Sequence, residues 1–439
     1  MVSELGQRNE VSSMALPVLL GFLPDSIISL VSMVVASRIA TETVAGTGLA
    51  SYLFFVLNAV SSIFMVGLLV FCSQAYGAGR IDLVERATGE LATLALALSA
   101  AVLASSQLWI GGYVSLLSGG QASVSQVATT YLSYRIASVP AMMVGAVLSS
   151  SYRAANSPWI PTYASLTAGT AGVVLIPSLS LGYLGLPRME TVGMGLASAL
   201  SQYVGLLMYL FFKPPFRFRL SLPSKITLKV LAIGVPASIE RLVSSIGQNI
   251  YINAVARSGV AALAAHNIGL SVENIVINPV FAVSIAASAR VGHRVGSSEV
   301  SKLDELAKES LKIGLSWMSI ATICLLAISP FAGSFFTQSE EITKLVMAYL
   351  ILAGISEIGL GGSLAIYGVM RGMGSTWVPL VVNSFTVLVL RAMLAQVLQP
   401  VYGIYGVWFT QITDMYGRFS IAYLTYRKLR SRLLIRLVN

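Results

Sequence analysis

The chain has 439 residues, of which 56% belong to the set AVILMFWYC and only 10% are Asp, Glu, Lys or Arg, far below the roughly 25% charged content of an average soluble domain. That balance excludes a water-soluble fold, and the long uninterrupted apolar runs exclude disorder and an alternating β-barrel. A net charge of +10 would suggest nucleic acid in a soluble protein; here the basic residues gather between apolar runs, where they report topology, and no nucleic-acid partner is expected.

A helix crossing the ~30 Å hydrocarbon layer needs about 20 residues. In chain order, apolar runs of that kind lie near 14–37, 44–76, 88–110, 125–150, 158–182 and 191–212. The first is too long for a signal-peptide core and lacks a small-x-small exit, so it reads as a retained span. Residues 213–229, KPPFRFRLSLPSKITLK, form a basic linker, and a second set of runs follows near 228–256, 262–289, 306–331, 342–370, 376–398 and 403–426. The expected architecture is an all-α integral membrane protein with twelve transmembrane helices in two six-helix bundles. An N-terminal lobe spans 1–212, the linker 213–229, and a C-terminal lobe with a short basic tail 230–439. Cys72 and Cys324 both lie within apolar runs, which predicts buried small hydrophobes.

The clusters around Arg8, 77–90, Arg153, the linker, 290–312, Arg371 and the tail from Arg427 to Arg436 all fall on the N-terminal side of this alternation, whereas only Arg38, Arg188, Arg257 and Lys344 fall opposite. The positive-inside rule then places both termini in the cytoplasm, with the chain multi-pass in the cell membrane. The halves also repeat. Pro17 matches Pro236, VAGTGLAS at 44–51 matches LAAHNIGL at 263–270, and QAYGAG at 74–79 matches HRVGSS at 293–298, all at an offset of 219; YRAANSPWIP at 152–161 matches MRGMGSTWVP at 370–379 at 218. Six crossings per half give a parallel repeat about an axis along the membrane normal, with a central cavity expected between the lobes.

These residues resemble the multidrug and toxic compound extrusion (MATE) transporters. The likeness is carried by GVPASIERLVSSIG at 234–247, LAAHNIGLSVENIV at 263–276, VGHRVGSS at 291–298, MRGMGST at 370–376, Arg391 and GVW at 406–408, with ALP at 15–17, SQAYGAG at 73–79 and YRAANSP at 152–158 in the first half. The resemblance implies two six-helix lobes and export of bulky, often cationic amphiphiles in exchange for Na⁺ or H⁺, without a cofactor. Two departures stand out. Where the family commonly carries an Asp near the end of the first span, this chain has Ser32, and where an Asn and an Asp often sit in the fifth span it has Gly172 and Ile176. Asp25, seven residues before Ser32 and on the same helical face, is the available substitute.

An ionised carboxylate inside a bilayer needs pairing, hydration or a proton, so each one is a candidate functional group. Asp25, Glu240, Glu273 and Glu357 are the cation-coupling candidates. Asp25 follows Pro24, a potential hinge. Glu240 heads a polar stripe through Ser244, Gln248 and Tyr251, and Glu273 flanks another formed by Asn267, Ser271, Asn274 and Asn278; both stripes suit a cavity wall, Na⁺ ligation near Glu240 and Glu273, or helix-to-helix hydrogen bonding. Glu357 lies in the Gly-rich stretch GISEIGLGG. Asp414 and Arg418, four residues apart, have the spacing of an intrahelical ion pair. His266 and His293 stand at no metal-ligand spacing and read as polar packing.

Three functions compete. Secondary antiport of small lipophilic or cationic compounds is favoured, by a monomer in contact with membrane lipids and no obligatory protein partner. A lipid-linked substrate flippase would need clustered cationic pockets, but the buried bases are scattered. A membrane enzyme would need a His, Cys or nucleophile constellation, and neither that nor a Walker A loop is present, so an enzyme is not expected.

Overall fold

In lipid every backbone N–H and C=O must be satisfied within its own segment, so apolar runs of this length fold as helices. The computed structural model describes residues 10–118, 121–212 and 215–438, apart from the Asn278 side chain. The first helix, α1 (Glu10–Ile39), is interrupted at Gly21–Phe22; Pro24 stands in the first turn of its second segment, where a missing N–H leaves no partner wanting. The expected hinge therefore lies just before Pro24. Then follow α2 (Thr41–Gly77), α3 (Ile81–Leu117), α4 (Ala122–Ala154), α5 (Trp159–Leu181), α6 (Glu190–Phe211), α7 (Lys225–Arg257), α8 (Val260–Gly296), α9 (Leu303–Ala332) and α10 (Glu340–Gly372). The stretch Trp377–Leu433 divides at Gly403, whose φ of 57° and ψ of −145° only glycine adopts readily, three residues beyond Pro400. The products are α11 (377–402) and α12 (404–433).

Among the described residues, ten stretches are long and apolar enough to cross a membrane. The division at Gly403 supplies an eleventh, and α7, of spanning length but diluted by Glu240, Arg241, Gln248, Asn249 and Asn253, completes the expected twelve.

Contacts divide the chain into two units. One takes Leu20–Cys72 and Arg80–Gly234; the other takes Val235–Asn439, Ser73–Gly79 and the N-terminal residues through Leu19. In the first unit α2 and the start of α7 cross at backbone contact: a Cβ on Gly67 would meet the Val230 carbonyl oxygen at 2.4 Å, and one on Gly234 the Ile63 oxygen at 2.1 Å. The linker is pinned by two acids of α3. Glu85 accepts from the Arg217 N–H at 2.7 Å. Glu90, buried, accepts from the backbone N–H and hydroxyl of both Ser224 and Thr227, at 2.7–3.1 Å, and so caps α7 from outside it. Replacing Glu90 with Ala orphans those donors and is expected to cost about 1–3 kcal/mol, read as a lower unfolding temperature with faster proteolysis of the linker.

In the second unit the N-terminal turn of α1 is held to α8: Arg294 bonds both Glu10 and Glu299, and Arg290 Nε donates to the Glu10 carbonyl at 3.0 Å. Gln74 is fully used, donating to the Gly372 and Ile435 carbonyls and accepting from the Leu437 N–H. Cys72 is buried as expected, but Cys324 is exposed on the apolar outer face of α9, because a thiol there faces lipid as readily as protein.

Candidate ion-coupling and substrate sites

The second unit is organised by the glycines around Glu357. A Cβ on Gly361 would meet the Gly314 oxygen at 2.6 Å, one on Gly359 the Met415 backbone at 2.8 Å and one on Gly362 the Phe419 ring at 2.6 Å, so these positions bring α10 against α9 and α12 at distances larger residues forbid. Glu357 is consequently fully enclosed. Its carboxyl faces that of Glu273, and neither of its oxygens receives a hydrogen bond from a described N–H or O–H donor.

Glu273, 2% exposed, is the hub. One oxygen accepts from the Tyr349 hydroxyl, the other from Gln411 Nε2 at 2.8 Å, and Gln411 Oε1 in turn accepts from Arg391 Nη2 at 2.9 Å. Arg391 lies over the Tyr251 ring, 4.8 Å from its centroid, with Nη1 3.8 Å from Asp414. Asp414 is gripped by Arg418 Nη2 through both oxygens, at 2.8 and 2.7 Å, which is the expected intrahelical pair. Around Arg391 the backbone of α11 widens to a π-helical turn over Thr386–Met393, a departure that recurs at functional sites. His266 is fully buried, its ring 5.7 Å from Tyr251 and 5.1 Å from Tyr349, and neither ring nitrogen has a partner among the described residues.

Tyr349 depends on a small neighbour, since a Cβ on Gly269 would meet its ring at 2.1 Å. Gly269→Ala should displace that ring and cut its bond to Glu273, at a destabilisation of about 1–3 kcal/mol; near-ultraviolet circular dichroism and thermal unfolding would register both.

Glu240 lies apart from this hub, with both oxygens bound by Arg371 Nη2 at 2.9 and 2.8 Å. Of its stripe, Ser244 accepts from Asn383 at 2.7 Å, Gln248 is half-buried and Tyr251 joins the Arg391 cluster. Asn267, Ser271 and Asn274 are exposed on the face of α8 away from Glu273, while the Asn278 side chain lies outside the described residues. Thus Glu273 is brought together with Glu357, Asp414 and Arg418, and not with the asparagine stripe or Glu240. Sequence reasoning missed Arg371 as the partner of Glu240, and also Tyr349, Gln411 and Asn383; the Gln411, Asp414, Arg418 spacing on α12 was a readable polar stripe.

The first unit contains a cavity of about 620 Å³ lined in part by Asp25, Ser32, Asn58, Tyr131 and Arg135, within the size range of small-molecule sites. Asp25 is exposed on its wall and makes no ion pair with a described residue. Arg135 is engaged within the same wall: its guanidinium lies 4.0 Å over the Phe54 ring and donates to the Tyr131 hydroxyl at 2.8 Å. Ile176 is buried, and Gly172 packs close to Ile28. The substitute suggested by the sequence, Asp25 for Ser32, thus shares one cavity with the residue it would replace.

Twelve helices of spanning length, a repeated half and carboxylates enclosed among them define a polytopic membrane protein. The MatE family model matches residues 17–177 and again 236–397, once per half and in the register of the internal repeat. The chain belongs to the MATE family. It is 23% identical over 427 residues to the probable multidrug resistance protein NorM of Thermotoga maritima, covering 95% of this chain and 92% of that one. Its fold matches an outward-facing multidrug resistance MATE transporter at a TM-score of 0.90 and 18% identity, covering 97% and 96% of the two chains. It also matches the Vibrio cholerae MATE transporter VcmN in its bent form at 0.87 and 18%, covering 98% and 99%.

Proposed function

We propose that this transporter exports lipophilic cations in exchange for protons by alternating access, with both termini in the cytoplasm. The names carried by its relatives support multidrug export. One observation carries the choice of ion. The membrane-embedded part of the second unit holds the acids Glu240, Glu273, Glu357 and Asp414 among the bases Arg241, Arg371, Arg391 and Arg418; Glu240 and Asp414 are ion-paired, whereas Glu273 and Glu357 make no ion pair with a described residue. Glu273 and Glu357 face each other, and two carboxylates in contact do not both ionise in a medium of low dielectric. They hold one proton between them. Uptake of a second makes the pair neutral, and its release restores the single negative charge; alternating access follows that change of charge.

Na⁺ suits this hub less well. A guanidinium one amide away from Glu273 repels a metal ion, whereas a proton needs only the carboxyl oxygens. The 620 Å³ cavity with Asp25 is the substrate site in this reading. Proteoliposome efflux of a fluorescent lipophilic cation tests it: transport should follow an imposed pH gradient at constant Na⁺, and transport driven by Na⁺ at constant pH would overturn the assignment. Asp25→Asn should weaken binding of the cation about tenfold, the loss expected for one charge-assisted contact, while a neutral amphiphile of equal size binds it unchanged in a fluorescence titration.

A further inference from the structure

Arg153, in the last turn of α4, is a buried cation that neither site uses. It is 7% exposed, its Nε is enclosed, and its guanidinium makes no hydrogen bond or ion pair with any described residue. An arginine cannot shed its proton to escape such a place, and its five N–H donors call for an acceptor. The repeat sharpens the contrast. Arg371, at the matching position 218 residues on, is neutralised by Glu240; the residue matching Glu240, 219 positions earlier, is Gly21 at the break in α1, which has no side chain to offer. The described group that interacts electrostatically with the guanidinium is the uncharged Tyr209, on whose ring, and on that of Phe216, the preceding Tyr152 packs at 5.3 Å.

The neighbouring surface shows where an acceptor would come from. Trp159, Tyr163 and Phe212 form a stack with centroids 6.0 and 5.7 Å apart, Trp159 and Tyr163 exposed, beside exposed Leu210 and Phe211. Trp and Tyr gather at the headgroup level of a bilayer. The adjoining linker presents Arg217 and Arg219 to the outside, and exposed basic residues at that level attract anionic lipid.

We propose that Arg153 binds the phosphate of an anionic glycerophospholipid drawn from the leaflet beside the linker, its guanidinium donating to the phosphate oxygens as Arg371 donates to Glu240. The lipid takes the place of the carboxylate missing from the first repeat, and the site is independent of how transport is coupled.

The test uses the full-length protein in nanodiscs. With phosphatidylglycerol titrated into phosphatidylcholine, the wild-type unfolding temperature should rise to saturation. Arg153→Gln should need about tenfold more phosphatidylglycerol or fail to respond, Arg153→Lys should keep part of the response, and Arg427→Gln in the tail should match wild type. Equal responses of wild type and Arg153→Gln would overturn the proposal. So would inorganic phosphate giving the same rise in pure phosphatidylcholine, because the ligand would then be a free oxyanion. Should Arg153→Gln not fold, a density map of the wild type in phosphatidylglycerol nanodiscs decides: phosphate density against the guanidinium supports the site, and an empty surround sinks it.

Discussion

Glu273→Gln should lose at least about 10²-fold of its pH-driven efflux, within the range spanned by a positioned proton-transfer group, while still binding the cation. The substitution keeps the volume but removes one of the two carboxyls that share the proton, and an amide can neither take one up nor release one. It also places an amide N–H₂ where one of two donors, the Tyr349 hydroxyl or Gln411 Nε2, needs an acceptor. Glu357→Gln should have the same effect on transport for the first reason alone, since no described donor bonds its carboxyl. Because the two groups act as a unit, the double variant should be no slower than either single one. Strictly multiplicative losses would mean two separate roles, and wild-type pH-driven efflux by Glu273→Gln would remove the hub from the mechanism. Exchange of labelled for unlabelled cation without a gradient should persist in all three variants if the carboxyls serve coupling alone.

The helices and the ionisable members of the hub were legible because both signals are local. An apolar run declares a span within itself, and Glu273, Glu357, Asp414, Arg391 and Arg418 are conspicuous by interrupting one. Their partners were not legible in the same way. Tyr349 and Gln411 are ordinary helix residues on α10 and α12, and nothing near either one announces a carboxylate 76 or 138 residues away. The asparagine stripe is instructive, since its helical spacing was read correctly but its relation to Glu273 was not. Ser271 and Glu273 are two residues apart, which at 3.6 residues per turn sets them on opposite sides of α8; the exposure of one and the burial of the other follow from that angle. The break between α11 and α12 was marked by Pro400 and Gly403, whereas the π-helical turn at Arg391 has no comparable sign in the sequence.

Arg371→Met should destabilise the protein by about 3–5 kcal/mol, the cost of stranding a buried charge when its partner is removed. Glu240 is 7% exposed and both its oxygens depend on that one guanidinium nitrogen. The double variant Glu240→Gln with Arg371→Met should recover most of the loss, because taking both charges out of a buried pair costs far less than taking out one. Thermal unfolding in a zwitterionic detergent measures both, and such a detergent also supplies no anionic lipid to Arg153. There the repeat predicts an asymmetry: Arg153→Met leaves no carboxylate behind, since Gly21 stands where Glu240 stands in the second half, so its cost should fall well below that of Arg371→Met. Rescue by the double variant would place Glu240 among the structural pairs. Failure of rescue, with efflux lost as well, would give Glu240 a part in coupling that its bond to Arg371 does not suggest.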